Sequence, residues 1–408
     1  MNMADHLNSI PPFFLCPISL QVMEDPVIVA TGVSYDRRSI SRWLVDHDKC
    51  PVTNQRLADL TVTPNDTLLR LIRSWSAAAN AAAAVDSFPE LSEILRDLRD
   101  QSVHSVCKFR ALKKIKTLLL DGTDGGCIDT VRMEKAGVTS LVASLISRQS
   151  SPMEITDDFS ILINEAAVTL YLLKPSPETL KAVSERDHGE LITSLASLLQ
   201  QGSYEGRVRA ALLLRSVFEI VGEEFKSRLP SDVIEAAVEV LKDQNASRGT
   251  TMALLAVLLE VLPRGKNRWK AVEAGVVEVM VELLVEDGTG DKRKCEAMLA
   301  VLELVCGKAE GRAELVAHPA GLAAVAARLV GVSSAVTERA VAVLGLVFRN
   351  CSGGAVVEEL VQVGGVAKLC AVVQMEENRM IREMAKRILA MHMKEWIKSP
   401  CFPSYRLP

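Results

Sequence analysis

Pro11-Pro12-Phe13-Phe14-Leu15-Cys16-Pro17-Ile18 opens a series of short motifs. It continues with Asp25-Pro26-Val27, Thr31-Gly32, Tyr35-Asp36-Arg37, Trp43-Leu44, Cys50-Pro51-Val52-Thr53 and Pro64-Asn65. Thr31-Gly32 separates two β-prone runs, 27–30 and 33–35, and predicts a hairpin turn. Asp36 is placed to cap a helix on which Ile40, Trp43 and Leu44 share one face. Pro64-Asn65-Asp66-Thr67 caps a second helix, with Leu68, Leu71, Ile72 and Trp75 as the expected buried stripe. Over this span the zinc-ligand types are Cys16, Cys50, His6 and His47. Two tetrahedral zinc sites would need about eight donors. The segment is therefore expected to fold without metal, on apolar packing and hydrogen-bonded side chains, and no cofactor is expected in the chain.

Beyond this segment the composition changes. The chain is 49% apolar but only 4% aromatic, and Ala, Val and Leu dominate its second half, a balance suited to stacked helices. From Glu90 onward nearly everything reads as helix, and the sequence repeats itself. Glu134-Lys135-Ala136-Gly137-Val138 leads to Leu145-Ile146, Val272-Glu273-Ala274-Gly275-Val276 to Leu283-Leu284, His318-Pro319-Ala320-Gly321-Leu322 to Leu329-Val330, and Gly364-Gly365-Val366 to Val372-Val373. Weaker copies end at Leu198-Leu199 and Val240-Leu241. The second residues of these pairs are spaced by 53, 42, 43, 46 and 43. Periods of about 40–47 residues mark armadillo and HEAT arrays, and an insertion around Ser150-Ser151-Pro152 and Asp157-Asp158 accounts for the long step. The recurring Gly fits a tight corner between short helices. The expected fold is mainly α: a small α+β domain at 8–82, a linker at 83–90, an α-solenoid of armadillo repeats at 91–398 and a tail at 399–408.

Charge and cysteine usage exclude several function classes. The net charge is −4, and the basic cluster Lys113-Lys114-Ile115-Lys116 reads as a solvated helix face, not a nucleic-acid patch. Nine cysteines without regular spacing fit free thiols in a reducing compartment. The longest apolar stretch, 252–261, contains Glu260 and is followed closely by Pro263, well short of the roughly 20 residues of a membrane span. No secretory leader or prenylation motif is recognisable, so a cytoplasmic protein is expected, with the nucleus left open. There is no Gly-rich phosphate loop, no His-Glu-x-x-His pattern, and the six histidines are scattered. Ser147–Ser151 and Ser333-Ser334 read as loops able to accept phosphate.

The N-terminal motifs resemble the U-box, the metal-free relative of the RING domain, and the whole layout resembles plant U-box ubiquitin ligases with C-terminal armadillo repeats. That resemblance implies that Ile18 in a first loop, Trp43 on the central helix and Pro51 in a second loop form a shallow apolar groove for a ubiquitin-charged conjugating enzyme. Aromatic anchors of this kind dominate small interfaces. Asn54 stands where many U-box and RING domains place an Arg or Lys that contacts both the conjugating enzyme and ubiquitin. An uncharged donor makes weaker bonds, which implies modest intrinsic activity. Cys16, Cys50 and Asp36 are assigned to the core, with Asp25, Arg37, Arg38 and Thr53 as further candidates for the polar network that replaces zinc. The family works without a covalent intermediate on the ligase, recruits a protein substrate in the armadillo groove, and acts in immunity and stress signalling. A homodimer through the U-box is left open. Two alternatives stand beside this: a non-catalytic armadillo scaffold or adaptor, and a thioester-forming ligase using Cys16. Against the second, Cys16 lies among Phe14, Leu15, Pro17 and Ile18, where a free cysteine behaves as a small hydrophobe.

Overall fold

Gly32, at φ +81°, closes the expected hairpin, with its amide donating to the Val29 carbonyl at 2.8 Å. Strand β1 (Pro26–Ile28) pairs antiparallel with β2 (Ser34–Asp36), Val27 opposite Tyr35, and both of these side chains are fully buried. A third strand, β3 (Thr63–Pro64), adds to the other side of β1, giving the order β2-β1-β3. Pro64 therefore belongs to a strand end, and Asn65 alone supplies the cap: its Oδ1 accepts from the Leu68 amide at 3.1 Å. The computed structural model describes residues 11–45, 47–57, 59, 61–75, 89–100, 102–120, 130–147, 157–243, 245–287, 291–350 and 354–397. His6, the margins 8–10 and 76–82, linker residues 83–88, the serine-rich stretch from 148 to 151, Pro152 and the tail at 399–408 lie outside the described residues.

Helix α1 (Arg37–Leu44) starts directly from β2 because Asp36 serves two ends at once. One carboxylate oxygen accepts from the Arg38 amide at 3.2 Å, and the other from the amides of Glu24 (2.9 Å) and Asp25 (3.2 Å). The cap thus also fixes the loop entering β1. Ile40 is buried against Phe14, Met23, Val29, Tyr35, Leu57 and Ile72, while Trp43 and Leu44 pack on this core half-buried. Helix α2 (66–75) buries Ile72 and half-buries Leu68 and Trp75. Leu71, expected in the buried stripe, is instead 52% exposed. Leu68, Ile72 and Trp75, at i, i+4 and i+7, make the line that meets the core, and Leu71 falls to the side of it.

The described residues of the second unit form helices joined by turns. Seven long helices form a ladder: α3 (Ser105–Leu120), α4 (Asp157–Leu173), α5 (Tyr204–Ile220), α6 (Arg248–Val261), α7 (Lys292–Cys306), α8 (Ser334–Arg349) and α9 (Arg379–Met391). Each packs on the next, and shorter helices cover the back of the ladder. Ser203, Ser247, Asp291, Ser333 and Asn378 cap α5 to α9, each side chain accepting an amide from the first turn. Each such cap is worth roughly 1 kcal/mol. Gly137, Gly275 and Gly364 take positive φ at the corners, as expected. Gly321 does not: it begins a helix, and a Cβ there would lie 1.9 Å from the Leu315 carbonyl oxygen. Close helix approach, not a left-handed turn, requires glycine in that copy. Lys113 and Lys114 face solvent while Lys116 pairs with Glu165 of α4 at 3.5 Å. Among the described residues no helix is long and apolar enough to cross a membrane.

Candidate functional site

Two loops of the N-terminal unit share one design. Cys16-Pro17-Ile18-Ser19-Leu20-Gln21 and Cys50-Pro51-Val52-Thr53-Asn54-Gln55 share Cys, Pro and Gln, pair Ile18 with Val52 and Ser19 with Thr53 as similar residues, and differ in kind at Leu20 and Asn54. In each loop the Cys amide donates to the Gln carbonyl, at 2.8 and 2.9 Å. The amide of the fifth residue, Leu20 or Asn54, returns a bond to the Cys carbonyl at 2.8 and 2.9 Å. The Gln amide reaches the Ser19 or Thr53 hydroxyl at 3.4 Å in both. The fifth residues are left-handed, Leu20 at φ 58° and Asn54 at φ 53°. Asn tolerates that region; Leu does so at a cost of about 1 kcal/mol or more.

Neighbouring residues of β2 hold both loops. The Asp36 amide donates to the Cys16 thiol at 3.3 Å, and the Tyr35 hydroxyl contacts the Cys50 thiol at 3.0 Å. The Val52 amide also donates to the Tyr35 hydroxyl, and the Thr31 hydroxyl donates to the Cys50 thiol at 3.3 Å. Burial pushes the Cys50 thiol up, but the Thr31, Thr53 and Tyr35 hydroxyls outweigh it and bring the thiol down to about 6. The Tyr35 hydroxyl is raised, by burial first and then by Cys50, so it remains a donor. Cys16 is likewise lowered: burial raises it, and bonds from the Ser19, Asp36 and Ile18 amides and the Ser19 hydroxyl more than offset this. Hydroxyl and amide donors here stabilise sulfur much as a metal stabilises thiolate. Asp25 and Arg37 close the network with an ion pair at 2.6 Å. Among the described residues Arg38 enters it through its amide alone.

Cys16 and Cys50 are 0% and 1% exposed, which leaves neither thiol open to a macromolecular acyl group. The surface of the two loops is apolar instead. Ile18 and Trp43 lie half-buried on the core, Pro51 is half-buried in the second loop, and Leu20 and Val52 are 70% and 57% exposed. Trp43 is locked in place: its Nε1–H donates to the Lys49 carbonyl at 2.9 Å, and its ring stacks on His47 with centroids 4.0 Å apart. This ties Trp43 directly to the Pro51 loop, while Ile18 reaches the same core from the other loop. The exposed Asn54 carboxamide has no hydrogen-bond partner among the described residues.

Residues 10–81 match the family described as the U-box domain, and residues 90–408 match the one described as the plant U-box protein ARM repeat region. The chain belongs to the plant U-box proteins with an armadillo-repeat region. Three similar members are from Arabidopsis thaliana. E3 ubiquitin-protein ligase PUB23 is 39% identical over 97% of this chain and 95% of its own length. E3 ubiquitin-protein ligase PUB22 is 34% identical over 97% of each, and E3 ubiquitin-protein ligase PUB24 is 31% identical over 96% of this chain and 94% of its own. Membership makes the twin loops the two loops of a U-box. The exposed Leu20 and Val52 escape a reading that takes each loop separately. Aligning the chain with itself across 34 residues, Cys16 on Cys50, would have exposed both.

Proposed function

We propose that this U-box protein is a ubiquitin ligase that docks a ubiquitin-charged conjugating enzyme on Ile18, Trp43 and Pro51, with Leu20 and Val52 widening the contact. The observation that carries the docking site is the pair of matched loops, clamped by Tyr35 and Asp36 of one strand, that present apolar side chains around a fixed Trp43. Catalysis is by positioning. The thioester stays on the conjugating enzyme, a substrate lysine held by the armadillo ladder attacks its carbonyl, and the conjugating enzyme's thiolate leaves. Holding these groups together supplies the rate enhancement through proximity and orientation. The buried thiols of Cys16 and Cys50 support transfer without an intermediate on this chain. Single-turnover discharge from a panel of charged conjugating enzymes tests the reading. Wild-type protein that accelerates none of them would favour the scaffold alternative.

Asn54 is left free to reach the docked pair, and a charged donor there would bind more tightly. Asn54→Arg is expected to raise the discharge rate several-fold, at a stability cost of about 1 kcal/mol because Arg fits the left-handed φ less well than Asn. No rise in single-turnover discharge would remove Asn54 from the site. Leu20→Gly should behave in the opposite way. Relief of the left-handed strain is offset by the freer unfolded chain, so the melting temperature should hardly move. Loss of the leucine side chain from the interface should weaken conjugating-enzyme binding by about tenfold. Unchanged binding in titration calorimetry would exclude Leu20 from the contact.

A further inference from the structure

We infer that the C-terminal end of the helix ladder binds an acidic peptide segment carrying one apolar anchor residue. This deepens the proposal that the ladder recruits substrate, and rests on it. Between α8 and α9 lies a cavity of about 230 Å³ lined by Ala342, Gly345, Leu346, Met384, Ile388 and Met391. Gly345 makes the hollow: a Cβ would project there toward Ile388, 3.8 Å from its Cδ1, in space no other side chain fills. The volume falls below the roughly 300–1,000 Å³ of small-molecule sites and suits a side chain. Two flexible methionines give the walls the adaptability of surfaces that accept varied apolar groups.

Charge selects the partner. Arg349 of α8 and Arg387 of α9 both line the cavity, both are exposed, and neither has an acidic partner among the described residues. Glu303, which itself lines the cavity, is held by Arg339 at 2.7 Å, and Glu383 by Lys386 at 3.4 Å. Two unpaired guanidiniums beside an apolar hollow complement an apolar residue with acidic neighbours, since guanidinium presents a fork matched to carboxylate. The chain's own segment 398–408 carries Lys398 and Arg406 and no acidic side chain, so charge opposes it as the occupant.

The test uses the full chain and a fluorescein-labelled peptide with a central Leu flanked on each side by a pair of Glu residues. Fluorescence anisotropy should show binding that weakens at least fivefold when Leu is replaced by Ser, and about tenfold or more in the Arg349→Glu/Arg387→Glu double variant. The melting temperature and ubiquitin discharge from the conjugating enzyme should be unchanged in that variant. Discharge by wild-type protein without preference for the Leu peptide would overturn this inference while leaving the ligase reading intact. Full competition by a peptide of sequence 398–408, or equal affinity in the double variant, would overturn it too. Loss of discharge in the wild type would count against the ligase reading instead.

Discussion

Trp43→Ala is expected to lower ubiquitin discharge by about two orders of magnitude at sub-saturating conjugating enzyme. Truncating a tryptophan anchor at the centre of an interface commonly costs about 2–4 kcal/mol, a 30- to 1,000-fold loss of affinity. The side chain also works inside its own domain. Its indole N–H holds the Lys49 carbonyl, its ring stacks on His47, and its inner face packs on the core. Alanine therefore removes the anchor and slackens the Pro51 loop together. Two measurements separate these effects. If docking is what fails, discharge should recover as the charged conjugating enzyme is raised toward saturation. Ile18→Ala, which leaves the Trp43–Lys49 bond intact, should also reproduce about a tenfold defect. A Trp43→Ala protein that discharges normally while its U-box remains folded would assign the indole to packing alone. The charged conjugating enzyme would then have to dock elsewhere on the U-box.

Much of this site is legible in the sequence because its chemistry is local. The Asp36 cap, the Gly32 turn and the buried thiols follow from residues a few positions apart, and the structure places each of them so. The polar network was readable only as a set of names. Its bonds join residues 11 to 20 positions apart, such as Asp36 to Glu24 and Asp36 to Cys16, and no local rule pairs them. Leu20 is harder still, since leucine is not a turn residue. Only the backbone bonds it shares with Asn54 show why it is held left-handed at the surface. In the ladder, the apolar pairs gave the period because each repeat must bury the same face against its neighbour. A second signal lay beside it: the caps Ser203, Ser247, Asp291, Ser333 and Asn378 are spaced by 44, 44, 42 and 45 residues. They differ in residue type, and only their common ability to accept an amide bond makes them one series. Gly321 shows the opposite failure, one residue type serving two geometries.

Trp396→Ala is expected to release the last repeat. The side chain is fully buried although it lies in the short final helix, Met393–Trp396. Its Nε1–H donates to the Val357 carbonyl at 3.2 Å, and its ring meets Phe348 of α8 edge-on with centroids 5.6 Å apart. His392, whose ring lies 5.4 Å from the indole, also contacts the Phe348 carbonyl at 3.2 Å through Nε2. Trp396 thus clips its short helix to two earlier ones. Truncating a buried tryptophan costs about 3–5 kcal/mol. Among the described residues the helices of 354–397 have a neighbouring repeat on one side only, so a loss of this size should unfold them locally. Hydrogen exchange should accelerate across 354–397, taper through α8 and leave α3 to α6 protected. The cavity between α8 and α9 would disappear with the repeat, abolishing capture of the acidic peptide, while ubiquitin discharge by the U-box continues at its normal rate. Uniform acceleration from α3 to α9 would instead show that the ladder unfolds as one cooperative block. In that case the Trp396 clip stabilises the whole array and does not secure its end alone.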